Sequence, residues 1–133
     1  MYSLEEKVFF EENGYLKLDN ILTNNHLGYY EKIYNDFINN KYNTTGLRSD
    51  LSGEKDGKKE LITQIMLPSK ILPQLINKPI HTFGLKIAQF LLGDDIVLDF
   101  DMLINKAPNT NKETPWHQDA AYWIDMPDER ALS

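Results

Sequence analysis

Apolar residues recur at spacings of three and four between positions 27 and 37, where Leu27, Tyr30, Ile33, Tyr34 and Phe37 would line one side of a helix. Thr23 stands where it can cap that helix. A shorter helix is predicted before it: Ser3-Leu-Glu-Glu6 has capping-box spacing, and Asn13-Gly14 is a stop signal. Tyr15-Leu-Lys-Leu18 then reads as a short strand, and the polar, glycine-containing stretch 39–60 as a long loop. The apolar run 61–67 predicts a strand stopped by Pro68. Two helical pieces follow, at 70–77 and 79–92, divided at Lys78-Pro79 and closed by Gly93. Residues 96–106 show the clearest alternation in the chain. Val97, Asp99, Asp101 and Leu103 oppose Ile96, Leu98, Phe100, Met102 and Ile104, the signature of a strand. Residues 107–113 read as a turn, and 116–123 as the next strand.

Helices come first and strands later, which predicts an α+β fold in a single domain over residues 1–133. The strands have barely begun when the sequence stops. Two or three strands cannot close a barrel or a sandwich, so the β part reads as truncated, with unpaired edges. Apolar strand faces such as Ile96, Leu98, Phe100 and Met102 would then be exposed, and self-association of the chain is expected.

Composition narrows the function classes. The 133 residues are 41% hydrophobic and carry 14 basic against 20 acidic side chains, a net charge of −6. That balance provides no basic surface for nucleic acid or an anionic membrane. No apolar run approaches the roughly 18 residues of a membrane helix. The first residues lack the pattern of a signal peptide, and a cytoplasmic location is the expectation. There are no cysteines, so a metal would have to be held by His, Asp or Glu.

The stretch Thr114-Pro-Trp-His-Gln-Asp-Ala-Ala-Tyr-Trp123 contains such a pair. On a strand, His117 and Asp119 would point to one face and aim at one point. An imidazole nitrogen and a carboxylate suit iron, and a second His would complete the 2-His-1-carboxylate triad of non-haem Fe(II) oxygenases. By itself the tripeptide more often marks a hydrogen-bonded pair on a solvated strand than a metal site. His26 and His81 lie in helical stretches and read as surface residues, and Asp99 and Asp101 read as a solvated strand face.

The surroundings of the pair carry more. Residues 102–123, from Met-Leu-Ile-Asn-Lys through His-Gln-Asp to Tyr-Trp, followed by Pro-Asp-Glu-Arg-Ala-Leu-Ser, strongly resemble the phytanoyl-CoA dioxygenase family of Fe(II)/2-oxoglutarate oxygenases. Weaker similarity reaches upstream to residues 62–75 and 90–95. The resemblance implies a double-stranded β-helix (a cupin-like jelly roll) wrapped by N-terminal helices. It implies iron ligation by His117 and Asp119, and a place for Met102 beside the 2-oxoglutarate pocket. Gln64 and Lys106 occupy positions that can face the same cosubstrate, or that can simply be solvent-facing polar positions. Gln118 suits a structural or a site role; Trp116, Tyr122 and Trp123 can wall a substrate pocket or pack in the core.

The family's second iron-binding His and its 2-oxoglutarate-binding Arg lie well beyond the His-x-Asp motif. The chain is therefore expected to be the front part of a longer enzyme. That enzyme would use Fe(II), O2 and 2-oxoglutarate to hydroxylate a small organic substrate, and Asp119 favours hydroxylation over halogenation. The alternative is a non-catalytic, degenerate fragment that acts as a binding protein.

Overall fold

The computed structural model describes residues 2–53, 60–110, 113, 115–119 and 130–132. Tyr122 and Trp123 lie outside the described residues, as does half of the span 116–123 in which a strand is expected. Among the described residues the fold is mixed α+β, with four α-helices, one 3-10 turn and a three-stranded antiparallel sheet. No helix among them is long and apolar enough to cross a membrane.

Helix α1 (Leu4–Asn13) begins with the capping box that Ser3 and Glu6 predict. It ends at Gly14, whose φ of 76° is a conformation that glycine adopts without steric cost. Helix α2 (Asn24–Ile38) starts at Thr23, whose hydroxyl accepts from the His26 amide. His26 returns the bond through Nδ1, and its ring also meets Phe83 edge-on. The predicted apolar stripe ends in Phe37, which is fully buried.

Strand β1 (Arg48–Asp50) emerges inside the stretch expected to be loop. Side-chain chemistry explains it. Asp50 accepts from the amides of Ser52, Leu61 and Ile62, which closes the connection to β2 (Ile62–Met66). Helix α3 (Pro68–Ile71), the 3-10 turn Pro73–Asn77 and helix α4 (Pro79–Leu92) follow, with Gly93 at the last cap as expected.

Strand β3 (Met102–Lys106) pairs antiparallel with β2, Gln64 opposite Ile104 and Ile65 opposite Leu103. The order is β1-β2-β3. Of the expected strands, one does not form and one forms only in its second half. Tyr15–Leu18 is unpaired, and residues 96–101 precede β3 without joining the sheet. Alternation alone does not make a strand; a neighbour must accept its backbone bonds.

The sheet has two unlike faces. Arg48, Thr63, Ile65, Leu103 and Asn105 look toward the helices. There Ile65 is fully buried, and the Tyr34 hydroxyl of α2 donates to Asn105 Oδ1. Ile62, Gln64, Met66, Met102, Ile104 and Lys106 form the other face, where Met102 and Ile104 are exposed. The core is completed by Leu75, Leu91 and Ala107.

Candidate functional site

Met102, Gln64 and Lys106 all belong to the uncovered face. Gln64 opposes Ile104, Met102 opposes Met66, and Lys106 opposes Ile62. The strand period of two places them there: 102, 104 and 106 share one parity on β3, and register carries it to 66, 64 and 62 on β2. The face therefore offers one amide, one ammonium and a surround of apolar side chains, a surface able to receive a small anionic molecule with an aliphatic body.

His117 and Asp119 lie beyond the turn after Ala107. Among the described residues 115–119 no strand is assigned, so the two are not held by the pleat that the sequence predicts. They nevertheless converge, with His117 Nε2 3.4 Å from Asp119 Oδ1. His117 Nδ1 stands 2.8 Å from the Pro115 carbonyl oxygen. A carbonyl only accepts, so Nδ1 carries the hydrogen in that contact. Metal-binding histidines are oriented by such a backbone bond from the other nitrogen. Two donors each about 2.1 Å from one metal at a right angle stand about 3 Å apart, close to the separation found here. The pair thus fits a divalent cation in both orientation and spacing. Among the described residues no third His or carboxylate joins it. Trp116 is fully exposed and Gln118 is exposed, so neither packs in the core.

Asp101 and His81 depart from expectation. Both side chains are only 11% exposed, and His81 Nε2 lies 2.9 Å from Asp101 Oδ2. Asp101 also accepts from the amide of Ser69 at 3.0 Å and from its hydroxyl at 2.8 Å. The physical reason is parity: Asp101 falls on the side of Leu103 and Asn105, toward the helices, where a carboxylate must find donors. Asp99, by contrast, is exposed, as expected for a solvated position. Sequence reasoning missed the Ser69–Asp101–His81 cluster, although an acidic residue in phase with an inward Leu was the available signal.

A family model described as phytanoyl-CoA dioxygenase (PhyH) matches residues 10–133. The peroxisomal phytanoyl-CoA dioxygenase of Bos taurus is 26% identical over 129 residues, covering 91% of this chain and 38% of that protein. The corresponding protein of Rattus norvegicus is 25% identical over 137 aligned positions, with the same shares covered. The chain spans less than two-fifths of the length of these relatives. No solved structure matches it with significance. With the match extending over nearly all of its residues, the chain belongs to the phytanoyl-CoA dioxygenase family.

Proposed function

We propose that this chain supplies the iron-binding His-x-Asp pair and part of the cosubstrate surface of an Fe(II)/2-oxoglutarate-dependent oxygenase that hydroxylates a small organic substrate. Family membership supports the reaction class. The observation that carries the residue assignment is the convergence of His117 Nε2 and Asp119 Oδ1, with the other imidazole nitrogen tied to Pro115. Bound iron would supply the activation of O2 that couples decarboxylation of 2-oxoglutarate, giving succinate and CO2, to oxygen insertion into a C–H bond. His117 and Asp119 would hold it from one side, and a further His would complete the set. On the uncovered face Lys106 and Gln64 would bind carboxylate oxygens of 2-oxoglutarate, while Met102 and Ile104 would flank its methylene groups. In the completed double-stranded β-helix this face would turn inward, and Trp116, Gln118, Tyr122 and Trp123 would stand near the substrate entrance.

The test is succinate release by the polypeptide carrying the whole fold. Asp119→Asn keeps the shape but removes the charge, and turnover is expected to fall by about 100-fold or more through loss of iron binding. Asp119→Gly removes the ligand and should abolish it. Near-normal turnover in Asp119→Asn would reject the assignment. Absence of 2-oxoglutarate turnover in the unaltered protein would favour a non-catalytic binding role.

A further inference from the structure

We infer that Ser69, Asp101 and His81 form a positioning clamp that fixes where β3 begins, and through it the affinity of the uncovered face for 2-oxoglutarate. The ligand part rests on the proposed function; the clamp itself rests on hydrogen bonds in the fold.

Asp101 immediately precedes β3 and ties three elements together. Its carbonyl accepts from the Leu67 amide at 2.9 Å, at the end of β2. Its carboxylate takes the Ser69 amide and hydroxyl at the start of α3, and the imidazole of His81 in the first turn of α4. Helix α3 has no cap from its own preceding residue, Leu67, so Asp101 acts as the cap from 32 positions away. Leu67 itself has φ 54°, a left-handed conformation that is sterically costly for any residue with a side chain. Such a turn persists only where its surroundings over-determine it. Asp101 provides that on both sides of Leu67.

The imidazole is specified as well as placed. His81 Nδ1 is buried and has no hydrogen-bond partner. A buried N–H without an acceptor is costly, whereas an idle lone pair costs less, so the neutral ring carries its hydrogen on Nε2 and donates to Asp101. Met102 is one residue further along the backbone, and Ile104 and Lys106 follow by the pleat. A shift at Asp101 therefore moves every β3 side chain on the uncovered face. None of the three clamp residues touches that face, which makes them positioning residues.

The experiment compares His81→Leu, His81→Gln and Asp101→Ala with the unaltered protein. Gln can still donate to Asp101 and should behave nearly as the original. Leu cannot. Asp101→Ala removes the acceptor for Ser69 and His81 together. For His81→Leu and Asp101→Ala, amide exchange in the β2–β3 ladder should accelerate about tenfold or more, while α2 and the β1–β2 ladder stay unchanged. The dissociation constant for 2-oxoglutarate, measured calorimetrically with Mn(II) in place of iron, should rise about tenfold, with kcat at saturating cosubstrate within about twofold. Uniform acceleration across α2 and both ladders, or failure of Gln to substitute, would overturn the clamp. So would an unchanged dissociation constant with lowered kcat. If the unaltered protein binds no 2-oxoglutarate, the functional reading fails, and the exchange pattern alone decides on the clamp.

Discussion

Single carboxylates organise the polar interior of this chain, and Asp50 shows how. The Ser52 amide is the largest influence on it, followed by further bonds from Ile62, the Ser52 hydroxyl and Leu61; burial opposes them. Together they hold its carboxyl down at about 2, against an ordinary value of about 4. A carboxylate with a depressed folded pKa contributes stability that is present above its unfolded value and is lost as pH falls through the folded one. Asp50 should therefore make the protein lose stability progressively between about pH 4 and pH 2. Asp50→Asn should be less stable at neutral pH and flatter across that window. Thermal melts at half-unit pH steps check this, and parallel curves for the two proteins would exclude it. Asp36, beneath Lys32 and Lys41, is likewise held below the ordinary carboxylate range, with Lys32 the larger influence.

Between elements, the Arg48 guanidinium joins α2 to the sheet beside the Tyr34–Asn105 bond. It donates to the Phe37 carbonyl at 3.0 Å, which also takes the Asn40 amide, and to the Ile38 carbonyl at 3.3 Å, both at the end of the helix where intrahelical partners run out. It also meets Glu60 with both Nε and Nη2, and this pairing is the main reason that Glu60 is held below its usual value. Arg48→Met should cost about 2 kcal/mol, less than the roughly 3–5 kcal/mol of a fully buried pair, because Glu60 remains a third exposed. Urea titration gives the number, and a change below about 0.5 kcal/mol would show the contact to be ornamental. Much of this level was legible beforehand. Caps at Ser3 and Thr23, the stops at Gly14 and Gly93, the break at Pro79 and the face shared by Gln64, Met102 and Lys106 all follow from local chemistry or from period. Strand β1 and the clamp at Asp101 were not legible, because each depends on partners that distance along the chain conceals: Asp50 with Ile62, Asp101 with Ser69 and His81. The failure at Tyr15–Leu18 has the same origin, since pairing needs a neighbour and no local pattern supplies one.

Among the described residues the molecule is sided, with helices covering one face of the sheet and the other left open. Val97, Leu98, Met102 and Ile104 are exposed, and among the described residues β3 is an edge strand. The backbone bonds at Asp101 and Ala107 point toward β2, so by antiparallel alternation the amides of Met102, Ile104 and Lys106 point outward. The 133-residue chain by itself should associate through this edge and face. Sedimentation should show Ile104→Lys to be less associated than the unaltered chain with little change in melting temperature. A compact monomer of the unaltered chain at every concentration would contradict it. The same alternation has a consequence for how the chain can vary. Along β3, odd positions address the helices and even positions address the open side, so the strand works as a ribbon with two reading frames. Losing or gaining one residue there would swap the two audiences, sending Lys106 into the apolar interior and Leu103 into water. A change of two residues would keep every side chain on its own side and merely slide it along. Length changes that the fold tolerates should come in even steps within β3, or be absorbed by the turn after Ala107, where no frame has to be kept.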